Sequence, residues 1–203
     1  MHSLYLASSS PRRQLLLKQL NTPFSIIEPN IDETPADNEL PENYVSRLAI
    51  TKAKAGFNQL SIAQQKTAYV LGADTIVSLE NNIMGKPTSQ QQAVTMLQSL
   101  SGKTHKVFTA IALYYLDKLI SNVVVTEVTM RPISIEEAVT YWHTGEPKGK
   151  AGGYAIQGIA ATFIEQINGD YYAVVGLPIF ATSELLKQAG IYSLTSNRYQ
   201  NWL

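Results

Sequence analysis

The chain has 203 residues, with sixteen Lys plus Arg balanced by sixteen Asp plus Glu, and it has no cysteine. Zero formal net charge gives no overall attraction to nucleic acid or to an anionic membrane, and the absence of thiols excludes disulfides, cysteine nucleophiles and cysteine-based zinc sites. No segment has the roughly 18 uninterrupted apolar residues of a membrane span. We therefore expect a cytoplasmic protein that binds a small ligand, with residues 1–190 as one two-lobed domain and residues 191–203 as a tail.

Hydrophobic periodicity predicts interspersed strands and helices along the chain. The predicted strands cover residues 4–7, 24–27, 69–78, 104–116 and 119–130, and the predicted helices cover residues 11–20, 42–57, 90–100, 135–143 and 178–188. The proline-rich, acidic residues 29–42 predict a loop, and Asn81-Asn82 predicts a turn. Asn168-Gly169 favours a type I′ turn, so residues 163–176 are predicted to form a hairpin. This mixture indicates an α/β fold around a mixed twisted sheet with flanking helices.

A polar and cationic run, "LASSSPRR", stands between the first predicted strand and the first predicted helix, which opens at Pro11. Free amides and the positive end of a helix dipole bind anions, and arginines add forked donors that suit phosphate. This pattern predicts an anion site formed by Ser8, Ser10, Arg12 and Arg13. The alternative is that Ser10 only caps the helix and that the arginines are surface charges.

Two charged residues interrupt apolar patterns. Lys52 lies on the apolar stripe of the second helix, whereas Lys54 points toward solvent. Asp74 lies in the apolar strand "YVLGADTIVS", where burying an unpaired carboxylate is costly, so it should be hydrogen-bonded, ion-paired or bound to a metal. The alternatives are a lysine stem that covers apolar surface and an aspartate that caps a turn. Thr75 is expected on the face of the strand opposite Asp74.

Two later segments also carry candidate ligand-binding groups. "MGKPTS" holds Lys86 between glycine and proline, either as a positioned cation or as a solvated turn lysine. "EPKGKAGGYAIQG" contains glycines that allow backbone amides to approach a ligand closely, and its Gln157 could read a base edge because a carboxamide both donates and accepts. "SGKTH" ends like a P-loop, but Leu97 stands where the first glycine is required and a strand follows, which excludes an ordinary P-loop NTPase.

Together with "IDE" at residues 31–33, "KA" at residues 52–53, "SGKTHKVFTAIAL" and "INGDYYAVVGLP", these segments resemble the Maf family of nucleoside triphosphate pyrophosphatases. The resemblance covers about residues 4–186 in the family's order. It implies two lobes around a deep cleft, related to the inosine triphosphate pyrophosphatase architecture, and a homodimer. It also implies hydrolysis of a nucleoside triphosphate to the monophosphate and pyrophosphate, with Mg²⁺ or Mn²⁺.

The same resemblance assigns roles to residues at matching positions. It implies that Asp74 and Glu33 are catalytic carboxylates that hold the metal, and that Lys52 and Lys86 are catalytic cations. It further implies that the remaining site residues bind substrate: Ser8, Ser10, Arg12, Arg13, Thr75 and Gln157.

Arg12, Thr75 and Gln157 resemble the branch of the family that acts on dTTP, UTP and related modified pyrimidine nucleotides. The 7-methyl-GTP branch has an acidic residue at the position of Gln157, which suits a cationic base, whereas glutamine suits the neutral edge of uracil or thymine. Gly149 departs from the pattern, because this branch usually has aspartate there.

These assignments suggest a mechanism in which the serines, arginines and lysines surround a triphosphate while Asp74 takes a proton from the attacking water. Three other functions fit some of the same segments: a pyrophosphatase for 7-methyl-GTP or inosine nucleotides, a nucleotidyltransferase, and a non-enzymatic regulator of septation or a nucleic-acid binder, since the family is associated with cell-division arrest. Gln157 disfavours the purine substrates, and the lack of a basic stripe disfavours nucleic acid.

Overall fold

The computed structural model describes residues 2–192, which contain a seven-stranded sheet with helices packed on both faces. The strands are β1 (Ser3–Ala7), β2 (Phe24–Ile27), β3 (Ala68–Leu79), β4 (Asn82–Met84), β5 (Thr104–Tyr115), β6 (Lys118–Met130) and β7 (Ile164–Asn168). The helices are α1 (Pro11–Lys18), α2 (Pro41–Asn58), α3 (Ile62–Gln65), α4 (Gln90–Leu100), α5 (Ile135–His143), α6 (Tyr171–Val175) and α7 (Ile179–Gln188). The predicted tail lies outside the described residues, apart from its first two.

The sheet has the strand order β2-β1-β3-β5-β6-β7, and β4 pairs with the end of β3. β1 pairs in parallel with β2 and β3, whereas β5, β6 and β7 are antiparallel to their neighbours. The turn between β5 and β6 has positive φ angles of 44° at Leu116 and 58° at Asp117. The predicted mixed sheet with flanking helices is therefore confirmed. Within residues 2–192 there is no helix of the length and hydropathy needed to cross a membrane.

The predicted hairpin over residues 163–176 is wrong in its second half. β7 pairs with β6 as a strand, but the chain after Gly169 turns into helix α6 instead of a returning strand. The Asp170 side chain accepts hydrogen bonds from the backbone N–H groups of Tyr172 and Ala173, which caps the new helix. An Asn-Gly pair permits a hairpin turn, but here the capping aspartate directly after it decides the outcome.

Two hydrophobic clusters pack against the same face of β3 and β5, at opposite ends of these strands. One includes Ala73 and Ile111 with leucines of α1 and α7, and the other includes Val77 and Val107 with residues of α4 and α5. Between them, Thr75 is paired in register with Thr109. These polar residues separate the two clusters, and Thr75 also lies on the lining of a cleft.

β3 has a gap in its pairing on the side away from β5. The partner strand β1 ends at Ala7, opposite Gly72, and β4 pairs with β3 only from Val77 onward. The intervening edge, which includes Asp74 and Thr75, therefore has no partner strand on that side within the described chain. Side chains from both faces of β3 can reach one cleft through this gap.

Helix α2 packs on the other face of the sheet with unusually close backbone contact at Gly72. A Cβ atom added at Gly72 would lie 2.2 Å from the carbonyl oxygen of Ala49 and 2.7 Å from the backbone nitrogen of Ala53. Only glycine permits this approach, so the residue sets the height of α2 above the strand that carries Asp74.

Replacing Gly72 with alanine is expected to destabilise the protein by at least about 2 kcal/mol, because α2 must move away from the sheet. Urea denaturation of Gly72→Ala and Gly85→Ala measures this effect. Gly85 is the matched control, since a Cβ there meets nothing within 4 Å. Equal stabilities of the two variants would show that the close approach does not constrain the fold.

Candidate active site

A cleft of about 390 Å³ opens at the unpaired edge of β3. Its lining combines the loop after β1, the start of α1, the loop before α2, and the glycine-rich segment after α5. Every residue predicted from the sequence to form the site lies on this lining: Ser8, Ser10, Arg12, Arg13, Glu33, Lys52, Asp74, Thr75, Lys86 and Gln157. The structure therefore brings the whole predicted set together, from segments far apart in the chain.

The Lys52 ammonium group lies between two carboxylates. Its Nζ is 2.7 Å from Asp74 Oδ1 and 2.6 Å from Glu33 Oε1. The side chains of Lys52 and Asp74 are only 12% and 10% exposed, so their charges are largely removed from water and depend on each other. Lys52 is thus an ion-pairing residue and not a stem that covers apolar surface, and Asp74 is ion-paired and not a turn cap.

Glu33 is the more exposed of the two carboxylates, at 42% of its side chain. Burial acts to raise the pKa of Glu33, but the hydrogen bond and charge of Lys52, with smaller contributions from Lys86 and Arg13, lower it below its ordinary value. The Lys86 Nζ is 3.7 Å from Glu33 Oε2. Glu33 therefore stays ionised, and its second oxygen faces an exposed lysine.

The opposite wall of the cleft is cationic. Burial lowers the pKa of Arg12, and burial together with the charge of Arg12 lowers the pKa of Lys150. Among residues 2–192, no side chain caps the first turn of α1, and the Arg12 guanidinium has no carboxylate partner. Neighbouring cations with too few counter-ions are the electrostatic condition that a bound anion relieves.

Arg13 differs from Arg12 because its donors are already used within the protein. Its Nε donates to the Gly176 carbonyl at 2.8 Å, Nη1 to Ser8 Oγ at 3.3 Å, and Nη2 to Thr75 Oγ1 at 3.1 Å. The guanidinium joins the loop after β1, the middle of β3 and the end of α6. Arg13 thus shapes the cleft, and its remaining N–H groups are what it can offer to a ligand.

Asp74 and Thr75 project to opposite faces of β3, as predicted. The Asp74 carboxylate meets Lys52 of α2, whereas the Thr75 hydroxyl accepts hydrogen bonds from Arg13 and from Thr109 Oγ1 at 3.0 Å. Both residues pair with β5 in continuous register, so β3 has no bulge at this point. Both side chains reach the cleft because no described strand pairs with β3 on its other side here.

Gln157 is exposed, lines the cleft, and has no hydrogen-bond partner in the described part of the chain. The segment that carries it is fixed by Glu146, a residue the sequence did not single out. The Glu146 carboxylate accepts hydrogen bonds from the Tyr141 hydroxyl at 2.6 Å and from the backbone N–H groups of Ile159 at 2.9 Å and Ala160 at 3.3 Å. The two ends of the glycine-rich segment are therefore tied together, while the Gln157 carboxamide is left free for a ligand.

Gly149 lies on the cleft lining with a φ of 70°, and a Cβ there would meet nothing within 4 Å. The position is thus sterically open but has a backbone conformation that side chains rarely adopt. The aspartate that the family resemblance implies for this position is absent, which leaves free space beside Lys150.

A buried pair behind the cleft was also not predicted. His105 Nε2 and the Tyr154 hydroxyl are 2.7 Å apart, and the His105 Nδ1 is buried without a partner among the described residues. Burial lowers the pKa of His105 to about 4. Tyr154 lines the cleft, so the neutral imidazole supports one wall of the site from β5.

The fold and the site define a class: an open α/β protein whose cleft combines two lysine-bridged carboxylates with a cationic wall that contains Arg12 and Lys150. Comparison with known families then places the chain. Residues 3–189 match the model of the family described as Maf-like protein, and the chain belongs to this family.

Curated relatives are similar over nearly their whole length. The chain is 46% identical over 190 residues to a dTTP/UTP pyrophosphatase of Hydrogenovibrio crunogenus, covering 94% of this chain and 97% of that protein. It is 47% identical over 186 residues to a dTTP/UTP pyrophosphatase of Photorhabdus laumondii, covering 92% and 93%. A third relative, from Saccharophagus degradans, carries the same name and is 47% identical over 183 residues, covering 90% and 87%.

The buried His105 predicts a loss of stability as the pH falls. Its folded pKa of about 4 lies below the ordinary value of 6.5, so the unfolded chain binds the extra proton first, and stability present above pH 6.5 is lost toward pH 4. Between pH 7.5 and pH 5 we expect a loss of about 2 kcal/mol in the free energy of unfolding.

Urea denaturation at both pH values measures this loss, with His105→Gln as the test variant and the exposed His143→Gln as its control. Between these pH values, the free energy of unfolding of His105→Gln should fall by less than about half of the decrease in the original protein. His143→Gln should show the same decrease as the original protein. An unchanged pH dependence in His105→Gln would contradict the assignment.

Proposed function

We propose that the protein is a nucleoside triphosphate pyrophosphatase that hydrolyses dTTP and UTP, and related modified pyrimidine nucleotides, to the monophosphate and pyrophosphate. The observation that carries the proposal is the pairing, in one cleft, of the Lys52-bridged carboxylates with the cationic wall that contains Arg12 and Lys150. The curated relatives described above bear the name of this activity over most of the chain.

In this proposal Asp74 is the general base. It is buried at the unpaired edge of β3, and one of its oxygens is held by Lys52 at 2.7 Å, which leaves the other to accept a proton from water. Lys52 orients the carboxylate at the edge of the cleft. The charge of the neighbouring Glu33 is balanced by the same lysine.

The cationic wall binds the polyphosphate and stabilises the charge that develops on the departing pyrophosphate. Arg12 has no carboxylate partner in the described chain, so its charge is available to a ligand, and Lys150 adds a second cation that is only partly balanced by Glu146. Ser8, Ser10 and the uncapped amides of α1 add neutral donors, and Lys86 approaches from the side of Glu33. Arg13 contributes mainly by holding this wall in place.

We further propose that Glu33 and Asp74 hold a divalent cation, Mg²⁺ or Mn²⁺. Lys52 contacts one oxygen of each carboxylate, so a second oxygen of each remains for a cation, and two carboxylates completed by substrate phosphate oxygens are a donor set that suits Mg²⁺. When bound, the cation supplies Lewis-acid polarisation of the phosphorus that is attacked.

Gln157 is proposed to recognise the base. Its free carboxamide can donate and accept at once, which matches the neutral edge of uracil or thymine and does not match a cationic methylated guanine. A cytoplasmic homodimer is also proposed, on the ground that the family resemblance implies it and that nucleoside triphosphates are held in the cytoplasm.

The substrate proposal is tested by incubating the purified protein with Mg²⁺ and each of dTTP, UTP, CTP, GTP, ITP and 7-methyl-GTP, followed by chromatography and a pyrophosphate assay. We expect monophosphate and pyrophosphate from dTTP and UTP. Cleavage of the purine nucleotides alone would contradict the role of Gln157, and no cleavage of any nucleotide would contradict the proposed activity.

Asp74→Asn is expected to lower kcat on dTTP by about 10²-fold or more, because asparagine keeps the shape of the side chain but cannot take the proton. Steady-state kinetics measures the change, and circular dichroism verifies that the variant is folded. Asp117→Asn, in the exposed turn between β5 and β6, is the control and should keep full activity. A folded Asp74→Asn protein with near-normal kcat would refute the general-base role.

A further inference from the structure

The loop that carries Glu33 has no helix or strand of its own, although the Glu33 carboxylate is in direct contact with Lys52. Residues 28–40 connect β2 to α2, and most of them are exposed. An exposed loop without regular structure has many conformations, so the carboxylate needs anchors to stay in place.

Two residues of α2 hold consecutive backbone carbonyls of this loop. The Tyr44 hydroxyl donates to the Glu33 carbonyl at 2.7 Å, and Arg47 Nη2 donates to the Thr34 carbonyl at 3.1 Å. Tyr44 is 8% exposed, so its ring is held in place by the surrounding protein.

Arg47 also binds the far end of the loop. Its Nε and Nη2 each lie 2.7 Å from one oxygen of Glu39, and the same carboxylate accepts from the Ala36 N–H at 3.0 Å. The hydrogen bond from Arg47 lowers the pKa of Glu39 to about 2, so the pair stays charged. A bidentate guanidinium thus fastens both the Thr34 carbonyl and the Glu39 side chain, on either side of the intervening turn.

Lys52, which binds the Glu33 side chain, is on the same helix. Tyr44 and Lys52 are eight residues apart, which corresponds to about 12 Å along an α-helix. Helix α2 therefore holds the backbone of Glu33 through Tyr44, and it holds the Glu33 carboxylate through Lys52 further along the helix. Because Gly72 sets the height of α2 above Asp74, the same helix also fixes the distance between the two carboxylates.

We infer that Arg47 and Tyr44 are positioning residues for Glu33, and that they act on catalysis only through that carboxylate. Neither side chain is on the cleft lining, so neither is expected to touch the substrate. The inference rests on the proposed function, since it assigns to Glu33 a part in the reaction.

A double-mutant cycle tests the inference. Arg47→Lys keeps the charge but loses the bidentate fork, and we expect kcat on dTTP to fall about tenfold with little change in KM, because the carboxylate is misplaced while the cationic wall is intact. In the Glu33→Gln background the same substitution should change kcat by less than about twofold. Tyr44→Phe should behave in the same way, with a smaller effect.

Arg131→Lys is the matched control. Arg131 also binds a carboxylate, Glu137 at 2.7 Å, and two backbone carbonyls, but it does not line the cleft. This variant should keep the original kcat. If Arg47→Lys lowers kcat equally in both backgrounds, Arg47 has a merely structural role and the inference is overturned.

Amide hydrogen exchange without nucleotide separates this inference from the proposed function. We expect faster exchange at residues 31–36 in Arg47→Lys, including the Ala36 amide, and no change there in Arg131→Lys. Unchanged exchange in Arg47→Lys would overturn the anchoring. If the original protein cleaves no nucleotide, the proposed function fails, and the exchange result still decides whether Arg47 holds the loop.

Discussion

The ion pairs of Lys52 with Asp74 and Glu33 are the interaction on which the rest of the cleft depends. A lysine and an aspartate that are each about nine-tenths removed from water are stable only as partners, and removing one of them would leave a buried charge at a cost of about 3–5 kcal/mol. The partners come from a helix, a strand and a loop. Their meeting requires that α2 lie close against β3, which the lack of a side chain at Gly72 permits.

The two walls of the cleft have opposite electrostatic conditions, and this contrast is the physical basis of the proposed activity. On one wall, Lys52 balances one of the two carboxylate charges, and Lys86 lies near the second oxygen of Glu33. On the other, burial lowers the pKa of both Arg12 and Lys150, and the charge of Arg12 lowers the pKa of Lys150 further. A polyphosphate satisfies the second wall, which directs its phosphorus toward the carboxylates of the first.

The sequence predicted most of the elements, and the chemistry of single residues identified most of the site, because a charge inside an apolar pattern is visible without a structure. Lys52 and Asp74 were found in this way, and the structure pairs them. Glu33 was identified only through the family resemblance. Arg13 was expected to bind the ligand, but three of its donors hold protein atoms. Glu146, Arg47 and Tyr44 were missed, since each fits the pattern of its own element and its partners are distant in the chain.

The sequence by itself determined which residues have reactive or ligand-binding groups, where β1, α1 and α2 begin, and the family resemblance that the comparison confirmed. It did not determine the second half of the predicted hairpin, which follows β7. There, capping by Asp170 begins a helix although the Asn-Gly pair favours a hairpin turn. Only the tertiary structure decided which groups are free. Strand pairing leaves the edge of β3 open at Asp74, and long-range hydrogen bonds occupy Arg13 but not Arg12, because such contacts depend on positions in space that periodicity does not encode.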